Sequence, residues 1–474
     1  MMLHKTKVIA TVGPACNNYE NLLGLVESGV NVFRLNFSHG THEEHLKVIE
    51  YINRINADFP FNIAILADLQ GPKLRVGEMR DGGMQLRQDD EFYFTNEKRS
   101  GDKDDVYISY PNFHIDVRVG EKILLDDGKI EVVVTQITKD GRVKVRVLTP
   151  GILLSKKGVN LPDTTISLPS LSDKDLNDLN FIIEQKIDWI ALSFVRKPED
   201  IIQLHQILKD KNSEAKIIAK IEKPEALEHL REIILASDAV MVARGDLGVE
   251  LPLEKIPMIQ RQIIRMCIHR AKPVIIATQM MESMIDRTRP NRSEITDVAN
   301  AVLEGADAVM LSGETAMGNY PELVVRTMVS IINEVEKEAI VYNKNLTPQA
   351  HSPSFLSDAI CYNACEMAKD VNANALIGMT QSGRTGFMLS SYRPKSALFV
   401  FTKTQTLINQ LSLSWGVQAF YYDKEANIDN IIKDQIKILK KKNLLHAGDI
   451  VINTGSIPVS EHLPTNMFKI SKVE

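Results

Sequence analysis

Strand-like apolar runs that stop abruptly at a polar residue recur through the first two-thirds of this chain, and that repeat constrains the fold more than any other feature. Lys216-Ile-Ile-Ala-Lys-Ile-Glu222 shows it most clearly. Strand side chains alternate faces, so residues 220 and 222 project the same way, ~7 Å apart. A cation and an anion at the carboxyl end of a buried strand are costly unless they meet a ligand, a metal or another charge. The pattern returns where Val240-Met-Val-Ala243 ends in Arg244-Gly245-Asp246, where Val274-Ile-Ile-Ala277 ends in Thr278-Gln279, and where Val309-Met-Leu311 ends in Ser312-Gly313-Glu314. Together with Lys7–Val12, Val30–Asn36, Ile63–Asp68 and Trp189–Phe194, these runs predict eight β units with intervening helices. That is the pattern of a (β/α)₈ TIM barrel, whose chemistry sits at the C-terminal ends of its strands. Arg34, Asn36, Asp68, Ser193, Lys220, Glu222, Asp246, Thr278 and Ser312 all fall at such ends. A single polar strand end can be a cap or a turn; so many in one chain point to a site.

Two segments break the rhythm. From roughly 70 to 167 helical periodicity gives way to short alternating strands with turn signals, among them Phe92–Phe94, Val106–Ile108, Lys122–Leu125, Ile130–Val134 and Arg142–Val147. This predicts an all-β domain inserted in a βα loop, placed at the barrel mouth as a lid. After a long helix expected over Pro321–Tyr342, a separate α/β unit starts, with strands near Ala375–Met379, Leu398–Phe401, Gln418–Tyr422 and Asp449–Asn453. The expected division is a catalytic barrel over 1–69 and 168–345, a β-rich lid over 70–167, and a C-terminal regulatory α/β domain over 346–474.

A length of 474 residues accommodates such a set of domains. Charged residues make up 25% and the net charge is −5, a balance that argues against a nucleic-acid partner. The basic run Lys440-Lys441-Lys442 reads as the solvated face of a helix. Cys16, Cys267, Cys361 and Cys365 are too few for a disulfide framework. Cys361 and Cys365, four apart on an expected helix, fit a packed reduced pair better than a metal site. No apolar run reaches a membrane span, and Met1-Met-Leu-His-Lys5 lacks the apolar core of a signal peptide. A cytoplasmic location without membrane contact is expected.

A set of motifs then narrows the reading. Thr11-Val-Gly-Pro-Ala15, Arg34-Leu-Asn-Phe-Ser-His-Gly40, Asp68-Leu-Gln-Gly-Pro-Lys-Leu-Arg75, Lys156-Lys-Gly-Val-Asn-Leu-Pro162, Ile218-Ala-Lys-Ile-Glu222, Met241–Glu250, Ala277-Thr-Gln-Met-Met-Glu-Ser283 and Ser312-Gly-Glu-Thr-Ala316 occur in order. In content, order and spacing the chain resembles the pyruvate kinases from end to end. The resemblance implies phosphoryl transfer from phosphoenolpyruvate to ADP, giving pyruvate and ATP, by a homotetramer. It implies magnesium, with manganese as an alternative ion, held by Glu222 and Asp246. Lys220 resembles the family's phosphoryl-stabilising cation, Arg34 its phosphate clamp, and Gly245 a backbone contact to the substrate carboxylate. Thr278 lies beside the enolate carbon in the family; because a threonine hydroxyl is a poor acid unaided, water delivered through Ser312 and Glu314 is expected to supply the proton. Arg75 and Lys157 resemble contacts to the nucleotide phosphates, the second reaching them only when the lid closes. Pro14, Asn36, Ser38 and His39 line the same mouth, His39 as a nucleotide contact or as a packed, capping histidine.

The chain also departs from the pattern. Many pyruvate kinases bind potassium near the residues matching Asn36, Ser38 and Asp68, and carry Thr after that Asp and Glu after the Gly-Pro. Here Leu69 and Lys73 stand in those places. An ammonium at position 73 can supply the charge that a bound cation supplies elsewhere, so no potassium requirement is expected. In the C-terminal unit, Thr380-Gln-Ser-Gly-Arg-Thr385 offers hydroxyls, a glycine and backbone N–H groups ahead of a helix, an anion nest. The matching family loop binds the phosphate of an allosteric activator, with the loop near Thr454-Gly455-Ser456 closing over it. This assigns Thr380, Ser382, Gly383, Arg384 and Thr385 to a phosphorylated effector. Two rival functions remain in view: a magnesium-dependent barrel lyase or aldolase acting on pyruvate enolate, and a non-catalytic metabolite sensor. The first has no use for Arg75 and Lys157, and the second predicts an eroded site.

Overall fold

The computed structural model describes residues 4–343, 346–350, 352–424, 426–458, 461 and 463–474. Eight parallel strands, Lys7–Thr11, Val32–Asn36, Ala64–Asp68, Trp189–Leu192, Lys216–Ile221, Ala239–Ala243, Val274–Ala277 and Ala308–Leu311, close into a barrel in sequence order. Their period-two alternation separates two apolar layers. Ile9, Val32, Leu66, Trp189, Ile218, Met241, Ile275 and Met310 fill the barrel interior, while Val8, Phe33, Ile65, Ile190, Ile217 and Val240 pack outward against the helices. Those helices start where side chains satisfy free backbone N–H groups: Thr41 with Glu44 and Ser172 with Asp175 form reciprocal caps.

Between the third and fourth barrel strands the chain forms a six-stranded sheet of Glu91–Thr95, Asp105–Tyr107, Lys122–Leu125, Ile130–Ile137, Val143–Thr149 and Val159–Asn160. A separate antiparallel pair, Gly83–Leu86 with Gly151–Leu154, was not apparent from sequence, because glycine-led segments of four residues carry little alternation. The C-terminal sheet runs in the order Val417–Tyr421, Ala397–Thr402, Ala375–Met379, Ile450–Gly455, Met467–Lys472. Its last strand is antiparallel and largely exposed, so its side chains gave no strong burial pattern to read. The helix expected to reach Tyr342 stops at Val335. Glu336 there turns its carboxylate to the backbone N–H groups of Lys5 (2.8 Å) and Thr6 (2.7 Å), a tertiary demand invisible in local sequence. The helix expected after Thr385 starts within that segment, at Arg384. Cys361 and Cys365 are buried and free on Phe355–Asp370, and no set of three His, Cys, Asp or Glu among the described residues is arranged to hold a metal. Among the described residues, no helix is long and apolar enough to cross a membrane.

The C-terminal unit seals the N-terminal end of the barrel. Leu413 belongs to the interior cluster, and Phe387 packs against it. Arg393, 1% exposed, pairs with Asp307 at 2.8 Å and stacks on Trp415. Lys5 donates to the carbonyls of Pro394, Lys395 and Ser396 at 2.7–2.9 Å.

Asp188, just before the fourth strand, lies in this seam and accepts the Ile65 N–H at 2.8 Å. Burial, only partly offset by that hydrogen bond and one from Asn409, raises its acid from 3.8 to about 7. Below pH 4 the group is neutral in folded and unfolded chains alike. Between pH 4 and 7 only the unfolded chain ionises, so the folded state loses ground, and above 7 the full cost of a buried charge is present. Asp188→Asn keeps an acceptor without the charge. It should raise stability at pH 8 by ~1–4 kcal/mol and change it little at pH 4, as measured by denaturant unfolding; a loss above 1 kcal/mol at pH 8 would contradict this account.

Candidate active site

The parity that fills the barrel interior also builds the site. Two residues beyond Ile9, Val32, Leu66, Ala191 and Ile218, on the same inward face, stand Thr11, Arg34, Asp68, Ser193 and Lys220. They form a polar layer capping the apolar ones. Asp68, 1% exposed, lies between the two cations: Oδ2 accepts from Arg34 Nε at 2.7 Å, and Oδ1 is 3.1 Å from Lys220 Nζ. Arg34 also donates to Thr11 Oγ1 at 3.0 Å. Lys220 donates to Ser193 Oγ at 2.7 Å and pairs with Glu222 at 2.8 Å. Ser193 passes its proton donor on to the Leu69 carbonyl at 2.7 Å.

The charges adjust to this crowding. Burial works to raise the Asp68 acid, but Lys220 and Arg34 outweigh it and hold it below the usual carboxylate range. Burial likewise disfavours the Lys220 ammonium, yet Asp68 and Glu222 hold it above the ordinary lysine value, so it is a permanent cation at neutral pH. Glu222 moves the other way, raised by burial and by the neighbouring Asp246 charge against the pull of Lys220. Its Oε2 accepts the Phe194 N–H at 2.8 Å.

Asp246 sits in the first turn of Arg244–Glu250, half-buried, with no hydrogen-bond partner among the described residues. It does not pair with Arg244, which engages Asp297 at 2.7 Å and the Thr278 carbonyl at 2.8 Å. Two mutually repelling carboxylates, one of them unpartnered, fit a hard divalent ion that takes its other ligands from water and substrate oxygens. Thr278 holds φ at +66° and Gln279 at +55°, a left-handed pair that is strained for a β-branched residue. The strain turns the Thr278 hydroxyl onto the Gly245 N–H, which donates to it at 2.7 Å, while the hydroxyl donates to the Ala277 carbonyl at 2.6 Å. A Cβ on Gly245 would lie 3.3 Å from that oxygen, a tight contact that glycine avoids. Glu314 is occupied elsewhere: its oxygens accept the N–H groups of Ser312 at 2.6 Å and Met281 at 3.1 Å, and burial raises its acid. No described hydrogen bond joins Thr278 to Ser312 or Glu314.

At the mouth, His39 is held below its ordinary pKa by burial and then by Arg75, Lys73 and Arg34. The imidazole is neutral in a ring of cations. Asn36 Oδ1 accepts the Ser38 N–H at 3.1 Å, and Pro14 is exposed. Lys73 is exposed, lines the cleft between lid and barrel with Asp246, and makes no ion pair among the described residues. Leu69, 1% exposed, belongs to the core, and its carbonyl is taken by Ser193. Arg75 donates to the Lys156 carbonyl, and Lys157 pairs with Asp126 of the lid at 2.8 Å. Far from this mouth, Thr380, Ser382, Arg384 and Thr385 line a cavity of about 500 Å³ with Lys403, Gly455 and Ser456. Gly383 has φ +86° there, and Arg384 pairs with Asp358 at 2.9 Å.

In sequence Asp68 and Ser193 read as strand ends, Asp68 with only a monovalent-cation role and Ser193 with none. Strand parity was the available signal, since it sets both on the face of Lys220.

Comparison with known proteins follows the same lines. The pyruvate kinase barrel domain model matches residues 3–325, and the pyruvate kinase alpha/beta domain model matches residues 358–471. Pyruvate kinases of Staphylococcus epidermidis and Staphylococcus aureus are each 40% identical over 473 residues, spanning 99% of this chain and 81% of theirs. The crystal structure of a pyruvate kinase from Cryptosporidium parvum is similar with a TM-score of 0.92 at 34% identity, covering 99% of this chain and 96% of that one.

Proposed function

The chain belongs to the pyruvate kinase family of phosphotransferases, whose substrates are phosphoenolpyruvate and ADP, and from that premise we propose how its residues divide the reaction. The observation that carries this reading is the Arg34–Asp68–Lys220–Glu222 array beside the unpartnered Asp246. Phosphoryl transfer runs through a loose transition state with charge spread over the phosphoryl oxygens, so fixed cations and positioning do most of the catalysis. Arg34 clamps the phosphate of phosphoenolpyruvate with its guanidinium fork. Lys220, kept charged by Asp68 and Glu222, stabilises the phosphoryl group as its bond to the enol oxygen breaks and a bond to a terminal ADP oxygen forms. Asp68 holds both cations in place before substrate arrives. Glu222 and Asp246 would hold magnesium, or manganese, which would supply positive charge to neutralise substrate oxygens. The Gly245 segment borders the substrate carboxylate. Thr278 orders the water that protonates the enolate carbon, with Ser312 and Glu314 shaping the loop behind it.

On the nucleotide side, Arg75 and Lys157 reach the ADP phosphates, Lys157 exchanging Asp126 for phosphate. His39, neutral among cations, contacts the nucleotide as a hydrogen-bonding group beside Asn36 and Pro14. The enzyme acts in glycolysis, as a homotetramer in the cytoplasm. Lys220→Met should leave phosphoenolpyruvate binding largely intact and cut kcat by ~10²–10³-fold or more, in an assay coupling pyruvate to lactate dehydrogenase. A variant keeping more than about a tenth of wild-type kcat would remove Lys220 from this role.

Lys73 supports activity without potassium. Its ammonium contributes, with Arg75 and Arg34, to the field that holds His39 below its ordinary pKa, and it lines the cleft that Asp246 borders. The Asn36, Ser38 and Asp68 region then needs no bound monovalent cation, and Leu69 brings no side-chain oxygen to one. Full turnover is expected in tetramethylammonium buffer with magnesium alone, and Lys73→Glu should impose a potassium requirement. A rise of more than about tenfold in wild-type activity on adding potassium would overturn the charge substitution.

The cavity at Thr380–Thr385 supports regulation by a phosphorylated activator. It joins hydroxyls, the start of the helix Arg384–Ser391, and the cations Lys403 and Lys424. Ser382→Asp with Thr385→Asp should abolish activation by sugar phosphates and nucleoside monophosphates through like-charge repulsion. An unchanged response to such activators would move the effector site elsewhere.

A further inference from the structure

The lid touches the barrel through a buried carboxylate that none of these roles uses. Glu250 closes the helix Arg244–Glu250, whose first turn carries Asp246. Its side chain is 1% exposed. Oε1 accepts from Lys223 Nζ at 2.5 Å and from Asn160 Nδ2 at 2.9 Å, while Oε2 is buried with no partner among the described residues. The two donors belong to different bodies. Lys223 directly follows Glu222 in the barrel. Asn160 lies in the edge strand of the lid sheet, in register with Leu124.

The ammonium of Lys223 by itself neutralises Glu250, as a buried ion pair requires. The Asn160 bond is therefore not needed for charge balance. What it sets is where the lid's edge strand stands relative to the helix bearing Asp246. Lys73, Asp127, Asn160, Lys223 and Asp246 line one cleft between the two bodies, so a shift at Asn160 changes the width of that cleft directly. The unused Oε2 offers the amide a second acceptor as the lid turns, and a buried carboxylate oxygen left without a donor is unusual enough to need such a reason.

We propose that Lys223, Glu250 and Asn160 form a pivot pin that positions the lid over the two metal-binding carboxylates, and that these positioning residues govern nucleotide capture without touching substrate. The inference rests on the reading that this site joins phosphoenolpyruvate to ADP. Arg75 and Lys157 travel with the lid, whereas Arg34, Lys220 and Glu222 belong to the barrel. Loosening the pin thus weakens one substrate and spares the other.

The test compares wild type with Asn160→Ala and Asn160→Asp, the second placing a like charge beside Glu250. Asn160→Ala should raise the KM for ADP by ~3–10-fold, the worth of one hydrogen bond. The KM for phosphoenolpyruvate should stay within about twofold, and Asn160→Asp should raise the ADP value further. Calorimetric Kd values for ADP with magnesium, on the intact protein, should move in parallel. Equal changes in both KM values, or none, in an active enzyme would overturn the pin. Wild type that makes no pyruvate or ATP would overturn the functional reading instead. In that case the ADP Kd of Asn160→Ala still decides the pin, a rise supporting it and no change refuting it.

Discussion

The buried carboxylate of Asp68 is the interaction on which the site depends. It meets Arg34 on one oxygen and Lys220 on the other, inside a barrel mouth where an isolated charge would be untenable. Removing one partner from such an array leaves an uncompensated buried charge and costs ~3–5 kcal/mol. The arrangement is therefore held together by mutual need rather than by surplus attraction. It leaves the two cations preorganised for phosphate before phosphate binds, and little reorganisation is required as charge develops.

Around that anchor the ionisable groups are pushed apart in character. Lys220 is held charged by its acidic neighbours, Glu222 is raised by burial and the nearby Asp246, and His39 is kept neutral by burial and by Arg75, Lys73 and Arg34. One cleft thus offers fixed cations, a pair of carboxylates suited to a divalent ion, and a neutral imidazole. The strained backbone at Thr278 and Gln279 belongs to the same economy of placement, because only a left-handed turn there brings the threonine hydroxyl onto Gly245.

The opposite end of the barrel is closed by the C-terminal unit rather than by barrel residues alone. Leu413 completes the interior, Phe387 packs against it, and Arg393 is locked to Asp307. The helix Arg384–Ser391 borders the C-terminal cavity with Arg384 and Thr385, and it presents Phe387 to the barrel. Phe387 also stacks under Lys216, the first residue of the strand that carries Lys220. Only this helix thus stands between that cavity and the catalytic strand.

Sequence alone determined the barrel, because eight buried strands in a row impose period-two alternation and polar ends that no local alternative accommodates as well. It likewise identified the inserted β domain, the C-terminal α/β unit and Lys220, Glu222, Asp246, Arg34 and Thr278 as strand-end groups. It did not reveal the short pair at Gly83–Leu86 and Gly151–Leu154 or the exposed strand Met467–Lys472, where burial, and hence pattern, is weak. Nor did it reveal the end of the helix at Val335, beyond which Glu336 accepts the backbone N–H groups of Lys5 and Thr6, just before the first strand. Which side chain meets which was decided only by tertiary structure: Lys220 on Asp68 and Ser193, Glu314 on two backbone N–H groups, Lys157 on Asp126, Glu250 between barrel and lid. The reason is physical. Alternation and burial are local demands that each segment satisfies by itself, whereas a buried charge finds its partner across distances in sequence that only closure of the barrel brings together.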